Sequence, residues 1–147
     1  MGSAADPNAD ALCIILVEDD ADDAELVSLQ LTDAGIRARF VHVQSASELR
    51  AAMLAGADLV VSDVSMPAFS GFDALDIVRE FEPAIPFVLV SGAFEEDVAA
   101  RATASRVQAY LLKDDLHGMV RAVQQAQSKS PSRREAAGGC ERPALDT

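Results

Sequence analysis

Short apolar runs alternate with longer segments of helical period along most of this chain. The apolar runs cover residues 12–17, 38–43, 57–62, 87–90 and 109–112. The segments between them repeat apolar residues every three or four positions, as helices do when one face packs on a sheet. Five repeats of this pattern predict an α/β fold with a parallel sheet covered on both faces.

Two of these segments carry more detailed predictions. The run 38–43 contains Arg39 and His42, and such polar residues favour an edge strand with one wet face. His42 is therefore interpreted as a half-exposed strand residue rather than a ligand. The third helix is predicted to turn four residues toward the core, namely Ala74, Ile77, Val78 and Phe81.

Length, charge and cysteine content limit the domain count and the kinds of partner. The chain has 147 residues, half of them apolar, which suits one core and is too short for two. We predict one domain at 12–127 between disordered segments at 1–11 and 128–147. A net charge of −12 repels a phosphate backbone, so a nucleic-acid partner is not expected. No apolar run approaches the roughly 18 residues that span a membrane, and the distant Cys13 and Cys140 fit a reducing cytoplasm.

Charged residues end three of the apolar runs. The first run leads into Glu18, Asp19 and Asp20, the third into Asp63, and the fifth into Lys113. Parallel strands place their carboxyl ends at one edge of the sheet, so these side chains are predicted to meet there. Carboxylates grouped without a cation repel one another and have raised pKa values, so the cluster indicates a functional site.

The predicted cluster suits Mg²⁺ and phosphate chemistry. Mg²⁺ prefers carboxylates and water, which suggests Asp19 and Asp63 as direct ligands with Glu18 acting through water. A carboxylate can be the nucleophile in phosphoryl transfer, and Asp63 is the best candidate because it alone lies in the middle of the sheet. Lys113 would then contact phosphoryl oxygens by charge, and Ser91, after the fourth run, by a hydrogen bond.

Three other acids near the first run have a simpler interpretation. Asp20, Asp22 and Asp23 stand where the first helix begins. Negative charge at a helix start is worth about 0.3 to 1 kcal/mol, so we assign these acids to capping the helix rather than to the site.

Four motifs resemble those of the receiver domain of response regulators in two-component signalling, over about residues 12–127. They stand in the expected order at the expected strand ends, which makes the resemblance highly specific. The motifs are Ile15-Leu16-Val17-Glu18-Asp19-Asp20, Asp63-Val64-Ser65-Met66-Pro67 with Gly71, Val90-Ser91-Gly92, and Tyr110-Leu111-Leu112-Lys113.

The resemblance implies a fold and a role for each motif residue. The fold is flavodoxin-like, (βα)5, with strand order 2-1-3-4-5. Asp63 is the phosphoacceptor, and Lys113 is the cation that senses phosphate. The remaining roles are Glu18 and Asp19 as the acidic pair, Ser65 as a backbone carbonyl ligand of Mg²⁺, Ser91 as the switch hydroxyl, and Tyr110 as the aromatic residue that changes rotamer with it.

The chain departs from the family pattern at two places. Receivers usually follow the lysine with a proline in a cis peptide, whereas Asp114 follows Lys113 here. The turn into the fifth strand usually offers Gly-Ala, and Arg106-Val107 stands there in this chain. Neither departure removes a residue that is assigned to contact the phosphoryl group.

The resemblance predicts a signalling protein rather than an enzyme, with at most self-phosphorylation and autodephosphorylation at Asp63. The phosphoryl donor would be a sensor histidine kinase or a phosphotransfer protein in the cytoplasm. The signal would leave by protein contact through the surface of helix four, strand five and helix five, and a homodimer is left open.

Two alternative functions are kept beside the receiver. A pseudo-receiver would bind partners without being phosphorylated, and Asp114 and Arg106 favour it mildly. A haloacid-dehalogenase-type phosphohydrolase also uses an aspartyl nucleophile and Mg²⁺. That class requires Asp-x-Asp followed by Thr or Val, and Asp20-Ala21-Asp22 meets only the first half, while Ser65 stands where a second acid would follow Asp63.

Overall fold

The computed structural model describes residues 11–129. The predicted disordered arm covers 1–11 and the predicted disordered tail covers 128–147. Both lie outside the described residues except for positions 11, 128 and 129. The strands are β1 (Leu12–Val17), β2 (Ala38–Val43), β3 (Leu59–Asp63), β4 (Phe87–Ser91) and β5 (Ala109–Leu112). The helices are α1 (Ala21–Asp33), α2 (Ala46–Ala55), α3 (Gly71–Phe81), α4 (Glu96–Ala104) and α5 (Leu116–Lys129).

The five strands form one parallel sheet in the order β2-β1-β3-β4-β5. This order confirms the α/β class and the flavodoxin-like topology, and β2 is an edge strand as predicted. Asp63 at the end of β3 lies beside Val90 in β4, and Ser91 lies beside Leu112 in β5. The carboxyl ends of the three strands therefore lie side by side.

Each face of the sheet has its own hydrophobic core. Successive strand residues point to opposite faces, so Ile15 packs with the residues under α2, α3 and α4, whereas Ile14 packs with those under α1 and α5. β1, β3 and β4 are buried along their whole length. Helices covering both faces explain why these strands are continuous apolar runs rather than alternating ones.

One helix prediction was partly wrong. Helix α3 buries Ala74, Ile77 and Val78 as expected, but Phe81 is 37% exposed. Phe81 is the last residue of the helix, beside the C-cap Glu82, and neighbouring elements cover it only in part.

The two departures from the family pattern are accommodated locally. Arg106 adopts a left-handed backbone with φ of 61°, so the turn into β5 forms without glycine. The peptide that joins Lys113 to Asp114 is trans, like every other peptide in residues 11–129. None of the described helices is long and apolar enough to cross a membrane.

Candidate functional site

The acidic pair directly follows β1. The Glu18 backbone N–H donates to the Val43 carbonyl at 3.1 Å, and His42 Nε2 lies 2.6 Å from the Glu18 carbonyl oxygen. The Glu18 carboxylate is buried, and its Oε2 accepts a hydrogen bond from the Asp20 backbone at 3.2 Å. Asp19 is exposed. The strand β1 therefore delivers one buried and one exposed carboxylate to the edge of the sheet.

Asp63 ends the central strand β3 and is 8% exposed. Carboxylate oxygens of Glu18, Asp19 and Asp63 all lie within 4.8 Å of one another. The structure thus brings together the three acids that the sequence analysis assigned to Mg²⁺. Ser65, whose carbonyl was the fourth predicted ligand, is exposed two residues beyond Asp63. Grouped carboxylate oxygens are the donor set that a hard divalent cation prefers, so the residues fit Mg²⁺.

Lys113, which directly follows β5, contacts two of these acids and also Asp23 of α1. Its Nζ lies 3.1 Å from Glu18 Oε1, 3.1 Å from Asp23 Oδ2 and 3.2 Å from Asp63 Oδ2. The Lys113 backbone N–H donates to the Ser91 carbonyl at 2.8 Å, which fixes the start of the loop after β5. One ammonium therefore offsets part of the repulsion among three carboxylates.

The Asp23 contact was missed by the sequence analysis. Asp20 is the N-cap of α1, and its carboxylate accepts from the backbone of Asp22 at 2.8 Å and of Asp23 at 3.3 Å, as predicted. The Asp23 side chain, however, pairs with Lys113 instead of serving only the helix start. The two residues are separated by 90 positions, so no local sequence signal connects them.

The charges of the cluster shift two pKa values. Burial raises the pKa of Glu18 to about 7, helped by the charge of Asp63, although the hydrogen bond from Lys113 opposes the shift. Partial burial lowers the pKa of Lys113, but hydrogen bonds with Asp23 and Glu18 outweigh it and raise that pKa above its ordinary value. Near neutral pH, Lys113 is charged and Glu18 takes up or releases a proton easily.

Ser91 and Tyr110 meet at a single backbone carbonyl. Ser91 Oγ donates to the Ala93 carbonyl at 2.8 Å, and the Tyr110 hydroxyl donates to the same oxygen at 3.3 Å. The Tyr110 hydroxyl also accepts from the Glu95 backbone at 3.2 Å. The Tyr110 ring lies 5.7 Å from the ring of Phe94. The loop between β4 and α4 is therefore attached both to the end of β4 and to β5.

Gly71 allows the loop after β3 to close tightly. The Val64 backbone donates to Val90 at 2.9 Å, and the Gly71 backbone donates to Val64 at 2.8 Å. A Cβ atom at position 71 would lie 2.5 Å from the Asp63 carbonyl oxygen and 2.7 Å from Leu89 Cδ2. Only glycine fits this approach without a backbone shift, so Gly71 helps to position Asp63.

Asp58 is a buried acid with a structural role that the sequence analysis did not anticipate. It is 2% exposed, and its Oδ2 accepts from the Cys13 backbone at 2.9 Å, while its own N–H donates to the Cys13 carbonyl at 2.8 Å. The carboxylate satisfies a backbone donor next to the start of β3, far from the acidic cluster at the other end of the strand.

The sequence matches the family profile described as the response regulator receiver domain over residues 14–124. It is 31% identical over 105 residues to the phosphoglycerate transport system transcriptional regulatory protein PgtA of Salmonella typhimurium, covering 71% of this chain and 25% of that protein. It is also 27% identical over 109 residues to the chemotaxis protein CheY of Treponema pallidum, covering 73% of this chain and 76% of that protein. The chain thus spans about a quarter of the length of PgtA.

The fold is also that of solved receivers. The chemotaxis response regulator CheY4 of Vibrio cholerae superimposes with a TM-score of 0.66 at 21% identity, covering 79% of this chain and 98% of that one. At this identity the similarity supports the fold alone, whereas the family profile covers most of the chain. The protein therefore belongs to the family of response regulator receiver domains of two-component systems.

Proposed function

We propose that this domain accepts a phosphoryl group on Asp63 from a phosphohistidine of a sensor histidine kinase or phosphotransfer protein. The observation that carries the proposal is the arrangement around Asp63, where two further acids and the Lys113 ammonium converge on one carboxylate at the end of the central strand. We place the exchange in the cytoplasm, because the cysteine pattern fits a reducing compartment.

In the proposed transfer, an Asp63 carboxylate oxygen attacks the phosphorus of the donor. The new P–O bond forms as the P–N bond to the donor imidazole breaks, and the leaving imidazole takes a proton from solvent. Lys113 supplies positive charge to the phosphoryl oxygens, since its Nζ already lies 3.2 Å from Asp63 Oδ2. Catalysis of this kind consists mostly of alignment and charge neutralisation, which the cluster provides.

Glu18, Asp19 and Asp63, with the Ser65 carbonyl, are the residues that would hold Mg²⁺. When bound there, the ion supplies positive charge next to the transferred group. The chain's own residues set up this site: the hydrogen bonds of the Glu18 backbone to the edge strand fix one carboxylate, and the closely packed Gly71 fixes Asp63.

The proposed response begins at Ser91. A phosphoryl group on Asp63 offers Ser91 Oγ a charged acceptor, which would draw it away from the Ala93 carbonyl. The Tyr110 hydroxyl then holds that carbonyl alone, so the loop before α4 keeps its attachment to β5 but loses the one that Ser91 provides to the end of β4. The surface of α4, β5 and α5 would transmit the change to a downstream protein, together with the loop before α4; Phe94 of this loop is 61% exposed, and Leu112 of β5 is 37% exposed.

The test is phosphoryl uptake by the purified chain. Incubation with acetyl phosphate and Mg²⁺ should add one phosphoryl group, detected by intact-mass spectrometry. The isosteric Asp63→Asn variant should gain nothing, while Asp33→Asn, which changes an exposed acid at the end of α1, should behave like the native chain.

The same experiment separates the alternatives. A native chain that gains no phosphoryl group from any donor, but still binds partners, is a pseudo-receiver. Sustained release of phosphate from a phosphomonoester would indicate a phosphohydrolase. Equal uptake by the native chain and Asp63→Asn would refute the assignment of Asp63.

A further inference from the structure

The two ends of α4 are held to the rest of the domain in different ways. At the N-terminal end, the N-cap residue Glu95 makes no side-chain hydrogen bond to the helix. This end is attached through the loop before it, because the Glu95 backbone N–H donates to the Tyr110 hydroxyl at 3.2 Å and the Ala93 carbonyl accepts from Ser91 and Tyr110. The N-terminal end of α4 is therefore held by contacts that the proposed phosphorylation of Asp63 rearranges.

The C-terminal end of α4 closes in a hydrogen-bonded turn. The Arg106 N–H donates to the Thr103 carbonyl at 3.1 Å, and the Val107 N–H donates to the Ala102 carbonyl at 3.3 Å. This pair of bonds is the Schellman motif, in which the residue after the C-cap is left-handed. Arg106 has that conformation, with φ of 61°. A side chain is disfavoured there relative to glycine, so the turn forms at a cost that other contacts must offset.

Arg79 of α3 supplies contacts that offset this cost. Its Nη2 donates to the carbonyls of Ser105 at 3.3 Å and Arg106 at 3.2 Å, which are the C-cap residue of α4 and the residue after it. The Arg79 Nε is buried without a hydrogen-bond partner among residues 11–129, so the guanidinium is partly shielded from water. Hydrogen bonds from a charged donor are stronger than neutral ones, and positive charge at a helix C-terminus also interacts favourably with the helix dipole.

A second contact joins α3 to the C-terminal half of α4. The Arg101 guanidinium carbon lies 4.1 Å from the centroid of the Phe72 ring, and Phe72 is buried. Ala102, the residue that follows Arg101, is 2% exposed. The C-terminal half of α4 is thus packed against α3, whose own start is set by a capping box.

We propose that Arg79 makes the C-terminal end of α4 a fixed hinge, so that phosphorylation of Asp63 moves the N-terminal end of the helix and leaves the C-terminal end in place. The inference rests on the proposed function, because the contacts of the loop before α4 change only if Ser91 turns to a phosphoryl group. Arg79 is a positioning residue, since it acts on the response only through the end of α4 that lies away from the acidic cluster.

Amide hydrogen exchange, resolved by residue with nuclear magnetic resonance, tests the hinge in the unphosphorylated chain. Arg79→Gln removes the charged donor and should raise exchange of the 105–107 amides at least about tenfold more than exchange of the β3 amides, which report the stability of the whole fold. Arg50→Gln is the matched control. It removes an arginine that pairs with Glu80 of α3 at 3.1 Å and has no part in the turn after α4. It should change exchange at 105–107 less than about twofold.

Two further measurements separate the hinge from a general loss of stability. Arg79→Lys keeps a charged donor but loses the planar guanidinium, so its exchange at 105–107 should lie between the native chain and Arg79→Gln. It provides the comparison with Arg50→Gln if Arg79→Gln does not fold. Mg²⁺ with beryllofluoride, a mimic of the phosphoryl group, should raise exchange at Glu95 of the native chain at least about threefold and change 105–107 less than about twofold. In Arg79→Gln, exchange should rise at both ends of α4.

Two results would overturn the hinge. One is equal exchange at 105–107 in Arg79→Gln and Arg50→Gln, which would mean that Arg79 does not hold this end of α4. The other is an equal response of both ends of α4 to beryllofluoride in the native chain. A native chain that responds nowhere to beryllofluoride would contradict the proposed function and with it the movement, while the variants still decide whether Arg79 holds the helix end.

Discussion

At the scale of single residues, Lys113 connects more of the acidic cluster than any other described side chain. Three carboxylates lie within 3.2 Å of its Nζ, and each contact raises the cost of removing its proton. Because the pKa of Lys113 is raised, its charge is constant across the physiological range. An ammonium has only three donors, so a new phosphoryl oxygen must displace one of the present partners.

Asp23 is the partner whose removal has the clearest expected effect. Asp23→Asn frees one Lys113 donor without changing the acids assigned to Mg²⁺. The Asp23 side chain is 43% exposed, so the pair is worth less than about 1 kcal/mol. We expect phosphoryl uptake to become about two- to fivefold faster, measured by mass spectrometry with a small phosphodonor. The neighbouring Asp22→Asn is the control, and equal rates in the two variants would contradict the role of Asp23.

Glu18 makes the stability of the metal-free protein depend on pH. Its pKa rises from 4.5 to about 7 because the carboxylate is buried, so the folded state binds the proton more tightly than the unfolded state. The stabilising contribution is complete below pH 4.5 and is lost as pH rises through 7. Relative to Glu18→Gln, the native chain should lose up to about 3 kcal/mol of unfolding free energy across this window.

Urea unfolding of both proteins without divalent ions, at several pH values between 4.5 and 8, gives this difference directly. The other acids titrate in both proteins, so their contributions cancel in the difference in unfolding free energy between the native chain and Glu18→Gln. A difference that stays constant with pH would mean that Glu18 is ionised throughout.

At the scale of elements, the loop between β3 and α3 is tightly built, and the neighbouring α4 is weakly anchored. Ser70 and Asp73 form a reciprocal capping box at the start of α3, which buries six residues. Helix α4 lacks a side-chain cap and buries only Ala102. Arg101 of α4 lies 4.1 Å over the ring of Phe72, one of the contacts between the two helices. We therefore expect α4 to shift more readily than α3.

Gly71→Ala tests the tight loop. The added Cβ would lie 2.5 Å from the Asp63 carbonyl oxygen, a backbone atom that cannot give way cheaply. Overpacking of this kind costs about 1 to 3 kcal/mol, and displacement of Asp63 should also slow phosphoryl uptake. Gly92→Ala is the matched control, since nothing lies within 4 Å of the position that its new methyl group would take and its backbone is not left-handed. Chemical unfolding measures both, and equal stability of the two variants would contradict the packing account.

At the scale of the whole molecule, the acidic cluster adds local repulsion to a net charge of −12. A divalent cation that binds only the folded state should stabilise the protein by an amount that grows with the logarithm of the ligand excess. Mg²⁺ at about 100 times its dissociation constant should contribute about 2.7 kcal/mol and raise the melting temperature by several degrees.

Differential scanning calorimetry with and without Mg²⁺ measures this shift. Asp19→Asn should remove most of it, because that acid belongs to the cluster. Asp33→Asn removes the same charge elsewhere and should retain it. If both variants keep the full shift, the ion binds by general attraction rather than at the cluster.

Most of the fold could be predicted because strand and helix periods are local properties. The bounds of β1, β2 and β5 match the predicted runs, while β3 and β4 differ by one or two residues at their ends. The strand order was predicted from the resemblance to receivers. Periodicity did not give it, because a local pattern carries no information on which strands are neighbours in the sheet. The error at Phe81 arose because a helical pattern does not reveal how far neighbouring elements extend over the last turn.

The sequence alone determined which chemical groups stand at the carboxyl edge, because the residue that ends an apolar run is defined by the run itself. Asp63 and Lys113 could be named in this way. Only the tertiary structure decided that Asp23 shares Lys113 with the acidic cluster, that Ser91 and Tyr110 meet at one carbonyl, and that a side chain of α3 holds the C-terminal end of α4. Each of these depends on side-chain conformations and on contacts between segments that packing, rather than local pattern, brings together.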